Sequence, residues 1–177
     1  IGFGGSTGRG FANNDIRDMQ AAAPMRLQTT NAVTPGTTIV GGGVTYTTVI
    51  TNTGLHDVTT GAGTATFAIS ATGVDLTNPQ NIAVGAVINE GPTNPSNLVT
   101  TIAYNAAAST PANGYYAYDV KNFPVGGTIT LTYNGIINAK ASSAINDASI
   151  TPPNGYLNID PNSGHSYAQT FIRPVMA

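Results

Sequence analysis

The stretch GGGVTYTTVITNTGLHDV, residues 41 to 58, decides the fold. Side chains alternate along an extended chain, so Val44, Tyr46, Thr48 and Ile50 point one way and Thr45, Thr47, Val49 and Thr51 the other. Threonine is β-branched, favours extended backbone and stays polar on a face that meets water. Glycines bound the run on both sides. It reads as one strand of a sheet that is wet on one face and packed on the other.

The same alternation recurs outward from this point. It places Ala65, Phe67 and Ile69 together in TATFAIS, and Ile82, Val84, Ala86 and Ile88 in NIAVGAVI. Leu98, Thr100, Ile102 and Tyr104 follow, then Ile129, Leu131 and Tyr133 in GGTITLTYNG. INDASIT puts Ile145 and Ile150 near a bend, and Tyr167, Gln169 and Phe171 close the series. Between these runs stand the turn pairs Asn113-Gly114, Asn134-Gly135 and Asn154-Gly155, among 21 glycines and 11 prolines in all. That punctuation belongs to an all-β chain, and two packed sheets are its natural solution. The nearest helical candidate is residues 13 to 23, where Asn14 or Asp15 supplies a cap and Pro24 a stop.

At 177 residues the chain suits one domain with a real core. Only 8% of its residues are charged, against roughly 25% in typical soluble proteins, while 41% are hydrophobic. Threonine, serine, asparagine and glycine supply the polarity instead. A net charge of −2 offers nucleic acid or an anionic membrane nothing to bind. No apolar run approaches the roughly 20 residues of a membrane span. There is no cysteine, so neither disulfides nor thiolate metal sites contribute. The chain starts at Ile1 rather than Met, which fits either removal of an export signal, the reading preferred on the resemblance below, or a proteolytic or expression fragment.

The order of motifs resembles the conserved-repeat module of bacterial and archaeal surface proteins, an immunoglobulin-like domain of unknown function. PGTTIVGGGVTYTTVITNTG at 35 to 54 resembles its opening, and FPVGGTITLTYNG at 123 to 135 a late strand. INDASIT at 145 to 151 and NIDPNSGHSYAQTFI at 158 to 172 resemble the strands that follow. Two departures stand out: Thr48-Val49 swaps the apolar and polar positions, and Gly164-His165 replaces paired asparagines. The resemblance covers residues 33 to 173. It implies an immunoglobulin-like, Greek-key β-sandwich over residues 33 to 177, on an exported structural or adhesive surface protein.

Residues 1 to 32 read as an extended arm outside that sandwich. IGFGGSTGRG is too glycine-rich to hold a strand alone, and the arm carries Arg9, Arg17 and Arg26. One reading makes it a donor strand that completes a sheet in the next copy, building an extracellular homopolymer. Phe3 and Phe11 would then anchor in a neighbour's pockets, with Met25 and Leu27 filling its core. The others make it a linker, or make residues 25 to 34 the first strand of their own domain.

Other chemistry is sparse. NGYYAYD at 113 to 119 holds three of the eight tyrosines, which suits either sugar stacking in an adhesion module or packing against the core. His56 and His165 are the only histidines, both in turn-like sequence, and no G-x-S-x-G elbow exists. The chain therefore reads as no enzyme, with no cofactor. Asn158, Asp160 and Asn162 alternate as calcium ligands do, yet a single carboxylate fits an Asx-rich turn better than a metal site. Lys121 and Lys140, the only lysines, read as turn or strand-end residues, which disfavours an isopeptide cross-link through the core. Proline blocks the one N-x-[ST] match, Asn94-Pro95-Ser96, so any glycans would be O-linked or follow another rule.

Overall fold

The computed structural model describes residues 23–59, 61, 63–92, 94–138 and 142–174. One sheet runs in the order β2 (Leu27–Thr34), β4 (Gly43–Asn52), β10 (Thr128–Ile137) and β6 (Val74–Leu76), with β7 (Val87–Asn89) also on β10. The second runs β3 (Thr37–Thr38), β13 (His165–Ile172), β11 (Ser143–Thr151), β5 (Ala65–Thr72), β9 (Tyr115–Lys121) and β8 (Thr101–Thr110). A separate parallel pair joins β1 (Ala23–Met25) to β12 (Tyr156–Asn158). The chain crosses repeatedly between the two sheets, among other places between β4 and β5, β5 and β6, β7 and β8, β9 and β10, and β10 and β11. With β2, β4, β10 and β6 facing β5, β11 and β13, this is the Greek-key arrangement of an immunoglobulin-like sandwich.

Alternation fills the core as the sequence implies. Val44, Tyr46, Thr48 and Ile50 of β4 are buried against Phe67 and Ile69 of β5, Leu131 and Tyr133 of β10 and Tyr118 of β9. Each fully buried apolar side chain of this size contributes about 1.5–3 kcal/mol. Thr48, polar at a core position, is accommodated by hydrogen bonds. The Asn146 amide donates to the Tyr133 hydroxyl at 2.6 Å, and Tyr133 lies 2.9 Å from the Thr48 hydroxyl. Thr48 donates to Asn31 Oδ1 at 3.1 Å, and Asn31 Nδ2 donates to the Asn146 carbonyl at 2.9 Å. This closed ring ties β2, β4 and β10 to β11 of the opposite sheet.

Four expectations need correction. The boundary at residue 32 falls inside β2, which pairs with β4 from Leu27↔Asn52 to Thr34↔Thr45. Residues 82 to 88 are not one strand: Pro79 opens a short 3₁₀ helix, Pro79–Gly85, that buries Ile82 and leaves only β7 extended. Asn134-Gly135 is no turn but lies within β10, where a Cβ on Gly135 would come 2.5 Å from Val74 Cγ2. Glycine there lets β6 approach. Finally, β11 runs without a bend, so Ile145 faces outward and Ile150 inward.

Candidate assembly surfaces

The chain enters the sandwich through a clasp at one end. The Ala23 N–H donates to the Gly155 carbonyl at 3.1 Å, and the Ile159 N–H donates to the Met25 carbonyl at 2.9 Å. On the other side the Thr53 N–H donates to the Arg26 carbonyl at 2.9 Å. Asn158, buried, donates its amide to the Leu27 carbonyl at 2.9 Å. The Arg26 guanidinium pairs with Asp160 at 3.1 Å on the surface. Two glycines admit this closeness: a Cβ on Gly54 would meet Arg26 N at 2.6 Å, and one on Gly164 would meet Asn158 Nδ2 at 2.7 Å.

The clasp relocates several expected site residues. Met25 and Leu27, expected to fill a neighbour, are fully buried in this chain's own core. The alternation that suited them to donation turns them inward here. Asn158 and Asp160 spend their side chains on Leu27 and Arg26, and the Asp160 carboxylate also accepts from the Ser163 N–H at 3.3 Å. Asn162 sits in the turn that follows, whose carbonyl accepts from the His165 N–H. No group of three or more His, Cys, Asp or Glu suited to a metal occurs among the described residues. Phe3 and Phe11 lie outside the described residues.

The second surface is the long edge of the six-stranded sheet. β8, TIAYNAAAST, pairs with β9 on one side, and its Ala103, Ala106, Ala107 and Ala108 are exposed. A register shift between Asn105 and Thr110 leaves Thr101–Asn105 as its regular part. The 3₁₀ helix packs between β8 and β10 and accepts the Tyr118 hydroxyl on the Pro79 carbonyl at 2.6 Å. Around it Val84, Val87 and Val99 stand 84%, 69% and 70% exposed.

The third is the outer face of the same sheet. Strand register puts Tyr167, Asp147, Ser70 and Tyr115 in one cross-strand row. His165 Nε2 lies 2.6 Å from Asp147 Oδ1. Of the three tyrosines in NGYYAYD, only Tyr115 faces this row, while Tyr116 and Tyr118 are buried. Burial pushes the phenols of both buried tyrosines upward. His56 sits in a turn with its ring 6.4 Å from Tyr156, and the neighbouring Asp57 carboxylate accepts from the Val125 N–H at 2.7 Å. Glu90 is occupied by the Thr100 N–H and hydroxyl, and exposed Lys121 ends β9. No described helix is long and apolar enough to cross a membrane.

No family model matches the chain, and no curated protein matches it. Solved structures are similar to it. The CARDB domain of a Pyrococcus furiosus protein superposes with TM-score 0.50 at 9% identity, over 84% of this chain and 93% of its own. A collagen-binding domain from a Staphylococcus aureus adhesin gives 0.47 at 10% identity, over 82% and 96%. A backbone pilin of Streptococcus pyogenes gives 0.49 at 11% identity, over 82% of this chain and 36% of the pilin. The first likeness establishes the class: this chain is an immunoglobulin-like β-sandwich domain.

Proposed function

We propose that this chain is an exported structural subunit of the conserved-repeat kind, and that it polymerises head to tail outside the cell. The N-terminal segment of one copy adds as a strand to the sandwich of the next. The observation that carries this reading is the clasp. It anchors the chain at one end of a sandwich whose own core takes Met25 and Leu27, with 22 residues of sequence ahead of it. Low charge supports the same reading, because closely packed copies carry little mutual repulsion. The threonine-rich faces also suit O-linked glycans.

The test compares the full chain with one lacking residues 1–22, by negative-stain electron microscopy at matched concentration. The cut must stop there, since removing β2 would open the core. Fibres from the full chain and monomers from the shortened one are expected; fibres from both, or from neither, would overturn the proposal. The row Tyr167, Asp147, Ser70 and Tyr115 favours a second reading, a monomeric adhesion module that binds glycans, in which tyrosines stack on sugars and the acid accepts hydroxyls. Glycan-array binding lost in Tyr167→Ala, with no fibres from the full chain, is the outcome this alternative requires.

A further inference from the structure

Strand addition needs an acceptor, and the sandwich has few candidate edges. β2 is closed against the other sheet: the Thr29 N–H donates to the Ser163 carbonyl at 2.8 Å, and Asn31 reaches the Asn146 carbonyl. The far side of β10 is taken by β6 and β7, with the Thr77 N–H on the Asn134 carbonyl between them. β3 is only two residues long, and β6 and β7, which form the edge beyond β10, only three each. That leaves β8, ten residues with no charge and no proline, two of the devices by which natural sheets protect an edge; a bulge, a third such device, interrupts it only beyond Asn105. No backbone hydrogen bond from another described element reaches its outer side. Over Thr101–Asn105 its inward side chains, Ile102 and Tyr104, touch the core but remain half-exposed, because the sheet ends there.

The leading segment carries a matching pattern. In IGFGGSTGRGFA, residues 1 to 12, the even positions are Gly2, Gly4, Ser6, Gly8, Gly10 and Ala12. The odd positions hold Ile1, Phe3, Thr7, Arg9 and Phe11, with Gly5 between. In a strand, period-two alternation puts every bulky side chain on one face and leaves the other bare. So many glycines disfavour such a strand in isolation, but an existing edge supplies the backbone partners it lacks. Residues 13 to 22 then span roughly 33 Å at about 3.3 Å per residue, enough to carry the strand from one copy to the next.

We infer that residues 1–12 of one copy add to the outer edge of β8 in the next, bulky face toward Ile102, Tyr104 and the 3₁₀ helix. This rests on the strand-addition reading above. The small, even-numbered residues then lie on the outer face beside Thr101 and Ala103.

The absence of cysteine allows a clean test. Ala103→Cys is combined in the full chain with one cysteine walked singly through positions 2 to 14, and assemblies are oxidised and run without reductant. Cross-linking between molecules at successive even positions, giving a covalent ladder, with at least a tenfold loss of ladder at odd positions, is expected. Thr101→Cys, on the same face, should repeat the pattern shifted by two arm residues. Fibres without cross-links at either β8 position would overturn the β8 assignment while leaving strand addition intact. Equal yields at odd and even positions would also overturn it, as would disulfides closed within single molecules. Fibres from chains lacking residues 1–22 would instead remove the underlying reading.

Discussion

The Asn146 side-chain amide and the Tyr133 hydroxyl meet at 2.6 Å inside the core, joining one sheet to the other. Thr48 spends its single proton on Asn31, so the Tyr133 hydroxyl donates to Thr48 and accepts from Asn146. Asn31 closes the ring on the Asn146 backbone. A sandwich held by apolar contacts alone tolerates small slips between its sheets; directional bonds at this point fix where β2 lies. That matters for a proposed subunit whose leading segment is anchored through β2.

Tyr133→Phe is expected to cost about 1–3 kcal/mol, because it leaves the Asn146 amide buried without an acceptor. Urea unfolding measures it. Converting both partners, Tyr133→Phe with Asn146→Leu, should recover part of that loss, since an unpaired buried polar group costs more than a missing pair. If the double variant loses the sum of the single losses, the two groups are not coupled and the ring is not an energetic unit.

Stability should fall in alkali. Burial pushes the Tyr133 phenol up to about 12, although Thr48 and Asn146 pull it back, and burial raises Tyr46, Tyr116 and Tyr118 too. An unfolded tyrosine ionises near 10. Between these values the unfolded state has lost protons that the folded state keeps, so rising pH favours unfolding. The contribution is whole below about pH 10 and is lost on the way to about 12. Thermal midpoints should drop across that window, together with the rise of tyrosinate absorbance, and Tyr133→Phe should flatten the slope. Ionisation of these tyrosines near pH 10 in a protein that stays folded would contradict their burial.

Much of this architecture was legible from alternation. Val44, Tyr46, Thr48 and Ile50 share the core face as read, and so do Phe67 with Ile69 and Leu131 with Tyr133. Residues 82 to 88 misled because apolar spacing alone cannot distinguish a strand from a 3₁₀ turn; Pro79 decided it. Asn134-Gly135 misled because a glycine that admits a neighbouring strand looks like one that makes a turn. For the assembly surfaces, Met25 and Leu27 carry an alternation that suits this chain's core as well as a neighbour's. Only pairing across 21 to 25 positions of sequence, Thr29 with Ile50 and Leu27 with Asn52, separates the two, and such contacts leave no local signal.

Gly54→Ala should loosen the clasp specifically. A Cβ would come 2.6 Å from the Arg26 backbone nitrogen, and backbone cannot rotate aside as a side chain can. The expected loss is about 1–3 kcal/mol, as for other overpacked sites. Hydrogen exchange should locate it, with faster exchange at the Thr53 and Ile159 amides, which donate to Arg26 and Met25. Unchanged exchange there, with slower folding elsewhere, would mean the clasp absorbs the methyl.

The two polar contacts of the clasp should differ in weight. Arg26 and Asp160 are 41% and 38% exposed, so Asp160→Asn is expected to cost under about 1 kcal/mol, and less in high salt. Asn158 is buried, and its amide satisfies the Leu27 carbonyl where β2 begins. Asn158→Ala leaves that carbonyl unpaired and should cost about 1–3 kcal/mol, independent of salt. Calcium should not change this ranking, because Asn158 and Asp160 already have protein partners. A calcium-dependent rise in the thermal midpoint, lost in Asp160→Asn, would show that the turn exchanges Arg26 for a cation.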